Sequence, residues 1–245
     1  GATATTTDGD GTLNPLLIRF SSQENPVDWY PSTVNTAGDL LLSTGSKIIT
    51  AVETRQQILV FTDVSLHSMQ YLGPPFTFGI NMLSNNLTIA SPLAVIAVED
   101  TVFWMGQEEF YSFAGTVQRL PCTIRDYIFS DFNTFQIDKV TASSNTAFSE
   151  VWWFYPSASS QENDRYVVFN YEQNIWYYGT LDRTVWLDRG INQDPIAAAP
   201  DHYLYSHETG FDDGSTEPAT AITARIESSQ IDMGEGDDFI FMSRM

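Results

Sequence analysis

Four times along this chain a short strand of small and aliphatic residues leads through a polar turn into an aromatic strand. The copies are residues 49–52, 53–57 and 58–61; 93–98, 99–100 and 102–105; 140–142, 143–149 and 151–155; and 196–199, 200–201 and 203–205. The aromatic strands begin at Ile58, Val102, Val151 and Tyr203, which are 44, 49 and 52 residues apart. A propeller blade of four antiparallel strands takes roughly 40–50 residues. The repeat therefore predicts an all-β, β-propeller-like fold with four-stranded blades of about 45–50 residues. Third strands are expected at 66–71, 110–113 and 165–170, each closed by a turn residue (Gly73, Gly115, Asn174). Fourth strands are expected at 76–82, 117–120 and 175–179. The last copy departs: 208–218 is polar and acidic, and 221–228 resumes a strand pattern.

The stretch 149–181 is the richest copy, with ten of the 33 aromatic residues between Val151 and Tyr178. Its strand 151–155 is apolar on both faces: Val151, Trp153 and Tyr155 on one, Trp152 and Phe154 on the other. Such a strand is covered on both sides, as a blade between two neighbours is. A β-sandwich also uses short strands and frequent turns but does not require a repeat of four-strand units. Small residues in the first strands (Ala51, Ala94, Ala97, Ala142, Ala197) suit a crowded centre. Blades are expected over about 40–90, 91–138, 139–192 and 193–245, with 1–39 an N-terminal loop and strand (16–20). One short connecting helix is predicted between the second and third copies. Thr123 would cap it and Ile124, Tyr127, Ile128 and Phe132 would share one face.

The formal net charge is −20, from 31 acidic and 11 basic residues. Affinity for nucleic acid comes largely from Lys and Arg contacts to phosphate, so this composition argues against a nucleic-acid binder. One cysteine, Cys122, excludes an internal disulfide and fits synthesis in the cytoplasm. No run of about 18 apolar residues marks a membrane span, and the start lacks the pattern of a signal peptide. The start without Met and an end inside a strand-like pattern suggest a fragment of a longer chain. Asn86-Leu87-Thr88 matches a glycosylation acceptor by pattern alone.

Candidate chemistry is sparse. None of His67, His202 and His207 lies in a metalloprotease motif. His202 and His207 flank one strand and could share a metal; ordinary surface or hydrogen-bonded histidines are the simpler reading. Cys122 precedes a helix start, where a thiolate would be stabilised; a small core residue is the simpler reading. Asp8-Gly9-Asp10-Gly11 resembles part of a calcium loop without its distal Glu. Asp212-Asp213-Gly214 and Glu235-Gly236-Asp237-Asp238 are acidic turns that suit solvent. Glu99, Asp100 and Asp201, at turns read as equivalent, are candidate acids for a propeller glycosidase. Trp153 and Trp176 are candidate sugar platforms or, more simply, core aromatics.

The segments IRFSSQENPVDWYP (18–31), TRQQILVFTDVSLHSMQYLGPPFTFG (54–79), VFWMGQEEFYSFAGTVQRLPCTIRDYIFSDFN (102–133) and EVWWFYPSASSQENDRYVVFNYEQNIWYYGTL (150–181) resemble the tail nozzle, or tail-tube hub, proteins of short-tailed bacteriophages. Some of these are described as phage stabilisation proteins. The resemblance covers roughly 16–245. It implies a structural virion protein, not an enzyme, with no catalytic, cofactor or metal residues. It also implies a homohexamer below the portal and adaptor, in contact with other tail proteins, without a membrane anchor, through which DNA passes as unspecific cargo. Gly73-Pro74-Pro75 and 157–164 are expected ring contacts by exposure. Acidic turns such as 208–217 would line a channel that repels phosphate. The alternative function is a carbohydrate-active propeller, either a glycosidase or a lectin-like binder.

Overall fold

The computed structural model describes residues 13–191, 193–210, 218 and 221. Residues 1–207 form one compact unit and 208–245 a second. Within the first unit the chain makes a small hairpin and then four meandering antiparallel sheets in sequence order. Strands β1 (Leu17–Phe20) and β2 (Gly38–Leu41) form the hairpin. Blade 1 is β3 (Ile48–Glu53), β4 (Ile58–Thr62), β5 (Ser65–Tyr71) and β6 (Phe78–Asn85). Blade 2 is β7 (Val95–Val98), β8 (Thr101–Met105), β9 (Phe110–Phe113) and β10 (Val117–Leu120). Blade 3 is β11 (Thr141–Asn145), β12 (Glu150–Tyr155), β13 (Arg165–Asn170) and β14 (Ile175–Thr180). Blade 4 holds, among the described residues, β15 (Val185–Leu187), β16 (Ile196–Ala198) and β17 (Leu204–Ser206).

First strands of successive blades lie side by side, which makes the arrangement propeller-like. Ala142 N donates to Leu93 O at 2.7 Å, and Ser143 Oγ donates to Trp186 O at 2.9 Å. Small side chains allow this approach at Ala142 and Ser143. The expected crowding does not extend to Ala51 and Ala97, which are exposed, and Ala197 belongs to a second strand. In blades 1 to 3 the turn between third and fourth strands holds a residue at positive φ: Gly73 (77°), Gly115 (87°) and Asn174 (56°). Glycine and, less readily, asparagine tolerate that conformation.

Pleat alternation puts one face of each strand against each neighbour. Val151, Trp153 and Tyr155 of β12 face a core shared with blades 1 and 2. Trp152 and Phe154 face Trp186 and Ala197 of blade 4. Every residue of β12 is buried. Rings bridge each joint: Phe61 to Trp104 at 5.2 Å, Phe110 to Trp153 at 5.0 Å, and Trp152 stacked on Trp186 at 5.1 Å.

The fourth sheet corrects the expected register. Residues 196–199 were expected to be its first strand, but β15 precedes them and lies against β11. Only three residues long, β15 is too short to stand out in sequence; Trp186 anchors it. Most of 208–245 lies outside the described residues.

The connecting helix α1 (Arg125–Ser130) is capped by Ile124 without a side-chain bond, not by Thr123. Ile128 and Phe132 are buried, whereas Tyr127 is exposed and its ring meets that of Tyr178 at a tilt, 4.3 Å between centroids. A helix of six residues buries only a narrow stripe. A 3-10 turn (Thr134–Lys139) follows it and was not evident from the pattern. Strand β2 was also missed, because Gly38 and Asp39 read as turn residues. Gly38 pairs with Phe20, and a Cβ there would lie 2.5 Å from the Phe20 ring.

Candidate functional site

A concave surface with several exposed aromatic rings lies where the β1–β2 hairpin meets blade 1. Ile18, Phe20 and Leu40 of the hairpin pack on Val60, Met69 and Leu42. Phe20 continues this pad to the edge of the sheet, where it meets Phe78 edge-on at 4.9 Å. Phe78 in turn holds Tyr71, its cross-strand partner, at 5.8 Å. Beyond that, two adjoining hollows of about 510 and 420 Å³ open to solvent, sharing Phe20, Gln23, Tyr71, Thr77 and Phe78. Phe76 stands on one rim and Trp29 on the other.

The walls are held in place. Asn35 donates to Asp28 Oδ2 and Tyr30 O, both at 2.8 Å, and accepts from Ser32 N at 3.0 Å. Thr36 Oγ1 accepts from Gln23 N at 2.7 Å. The Trp29 indole donates to Pro26 O at 2.6 Å. Asp39 is paired with Arg19 at 3.3 Å. The signals for this site are aromatic residues in and beside turn-rich segments, DWYP (28–31), which reads as a connection, and GPPF (73–76), where Gly73-Pro74-Pro75 was expected as a ring contact and Phe76 as the start of a strand.

Beneath the hairpin, His67 is buried between Val60 and Met82 of its partner strands. Neither ring nitrogen has a protein partner among the described residues. Burial holds its pKa below the usual histidine value.

The residues singled out by sequence are scattered. Glu99 and Asp100 are exposed on the β7–β8 turn, where Asp100 meets Arg55 at 3.3 Å. Asp201 lies in the β16–β17 turn and accepts from the Tyr205 hydroxyl at 2.5 Å, which lowers its pKa. The first of these turns joins first and second strands, the second joins second and third. In an antiparallel meander these turns are at opposite ends of the sheets, and blade 3 intervenes. The three acids are not equivalent.

Trp153 is fully buried and donates to Ala94 O at 3.1 Å, so it is core rather than platform. Trp176 is half-buried, packed on Phe110 and Phe169, and donates to Pro121 O. His202 is exposed at a positive φ of 73°, whereas His207 lies over Trp186 and accepts from Arg183 Nε at 2.9 Å. Burial and then Arg183 push His207 down to about 4. No metal-binding group of three His, Cys, Asp or Glu occurs among the described residues. Burial raises Cys122 to about 11, the reverse of thiolate activation.

The loop 157–164 is less free than its composition suggests. Ser157 donates to Asp164 through both N and Oγ at 2.7 Å, Lys139 pairs with Glu162, and Ser157 and Asn163 are buried. Asn86 is exposed. The acidic motifs at 8–11, 212–214 and 235–238 lie outside the described residues, as does 211–217 of the acidic turn.

No family model and no curated protein matches the chain. Among solved structures it is similar to K. marxianus Hsv2 (TM-score 0.42, 8% identity, covering 78% of this chain and 56% of that one). It is also similar to Hsv2 of Kluyveromyces lactis (TM-score 0.41, 11% identity, 69% and 50%). A third similarity is to the N-terminal domain of Nup159 (TM-score 0.33, 9% identity, 78% and 68%). The chain thus spans about half the length of the two Hsv2 structures. No helix among the described residues is long and apolar enough to cross a membrane.

Proposed function

We propose that this chain is part of a structural virion protein, a tail-nozzle component that assembles as a homohexamer below portal and adaptor and conducts DNA. The observation that carries this reading is the far face of blade 4. Register places Val185 and Leu204 on either side of Ala198, on the face turned away from Trp186 and blade 3, and Leu187 shares that face. These three are 52%, 74% and 65% exposed. In blade 3 both faces are covered by neighbouring blades; here an equivalent apolar face is open among the described residues. Exposed contiguous apolar surface marks a site of association, and a ring needs such heterologous contacts. The charge of −20 supports the second half of the reading, because an acidic conduit releases phosphates that Lys and Arg would hold.

The test is the assembly state of the purified chain. Negative-stain images and light scattering should show six-membered rings, weakened by Leu204→Asp. A monomer at high concentration would overturn the proposal. A duplex DNA retained at low salt would argue against a conduit.

A further inference from the structure

We propose that the aromatic cleft between the β1–β2 hairpin and the β5–β6 turn binds a neutral oligosaccharide. This site is separate from the open face of blade 4, and the inference does not rest on ring assembly.

The cleft has the shape for such a ligand. The two hollows share Phe20, Tyr71 and Phe78 and so form one trough suited to an extended ligand. Each, at about 510 and 420 Å³, falls in the range of small-ligand sites. Its surface presents open aromatic faces. Tyr71, Phe76 and Trp29 are 63%, 70% and 45% exposed. The Trp29 N–H is already bonded to Pro26 O, so what this side chain offers a ligand is its ring. An aromatic face carries negative quadrupole charge, which suits the weakly positive C–H face of a pyranose. Ring edges of such a sugar carry hydroxyls, and the trough offers the Gln23 amide, the Ser32 hydroxyl and the part-exposed Asp39 carboxylate.

The charge of the lining selects against ionic ligands. Among the described residues Asp39 is the one acid lining the larger hollow and is neutralised by Arg19; Glu24 borders the smaller. Among the described residues neither hollow is lined by a Lys or Arg, so a phosphorylated or carboxylated ligand finds no counter-charge there, in a chain that is strongly acidic already. An uncharged ligand with apolar faces and polar edges fits these three properties together. The rim is also preorganised by the Asn35 bonds to Asp28, Tyr30 and Ser32, which reduces the ordering cost of binding.

Titration calorimetry with chitotriose, maltotriose, cellotriose and mannotriose tests the assignment, with decaproline as the peptide probe for an aromatic groove. Binding of at least one trisaccharide is expected. Tyr71→Ala and Phe76→Ala should each weaken it by about tenfold or more, the loss of one stacking ring at the contact. Thermal melts should be unchanged in both variants, since both side chains are exposed. No trisaccharide binding at millimolar concentration, binding that survives both substitutions, or decaproline binding in place of sugar would each overturn the proposal. Ring formation enters none of these outcomes, so a monomeric protein that binds sugar would refute the nozzle and keep the cleft.

Discussion

Strand β12 and the rim of the hairpin cleft use the same residue types to opposite ends. In β12, Trp152, Trp153, Phe154 and Tyr155 are all buried, because a blade covers each face of the sheet. At the rim, Trp29, Tyr71 and Phe76 remain open to solvent. Tyr71 shows where the change occurs. Strand β5 is buried from Ser65 to Met69 and exposed at Gln70 and Tyr71, where it runs past the cover of the hairpin. An aromatic side chain is therefore core or surface according to what its neighbours cover, and composition alone does not separate the two.

The sharpest way to break this comparison is Trp153→Ala. Loss of a fully buried ring should cost about 3–5 kcal/mol in a urea titration. A loss below about 1 kcal/mol, the level of an ordinary substitution, would show that the joint between blades 2 and 3 is looser than its geometry. Next is Glu150→Ala. Glu150 Oε2 accepts from the Trp152 indole at 2.8 Å, and its other oxygen accepts from the Tyr177 hydroxyl. Removing it leaves the buried Trp152 indole without this acceptor and should destabilise by about 1–3 kcal/mol. An unchanged midpoint would mean that the carboxylate does not hold the ring.

His67 sharpens the other side of the comparison, since it lies under the hairpin. Its folded pKa is depressed, so the folded state prefers the neutral ring. That contribution is fully present above the unfolded value near 6.5 and is lost as pH falls below it. The melting temperature should drop between pH 7 and 5, and His67→Leu should flatten that part of the curve. An identical acid slope in the variant would assign the effect to other groups, His207 among them. The smallest effect is expected at the rim: Tyr71→Ala and Phe76→Ala should each change stability by no more than about 0.5 kcal/mol. A cost of several kcal/mol would make these residues part of the core after all.

Much of the architecture was legible along the chain. Strands β9, β10 and β13 lie where alternation and turn residues placed them, and the positive-φ turns at Gly73, Gly115 and Asn174 follow from residue type. Strand β15 was not legible, because three residues carry too little period and its anchor, the Trp152–Trp186 stack, joins positions far apart in sequence. Strand β2 was hidden by a glycine kept for the Phe20 ring rather than for a turn. The candidate site was legible only in pieces: Phe20, Tyr71, Phe76 and Phe78 fall in expected strands, and Trp29 falls in the N-terminal connection. Its walls come from 20–40 and 71–78, and no motif links them.

Sequence alone therefore determined the repeat of strand, turn and aromatic strand, since local hydrophobic period and turn chemistry act between near neighbours. Tertiary structure decided which aromatic rings are covered. It also decided that Glu99 and Asp100 lie at the other end of the sheets from Asp201, and that a hairpin closes over His67. Those outcomes depend on which blade lies beside which strand, and that is settled by packing across the whole chain rather than by any single stretch of it.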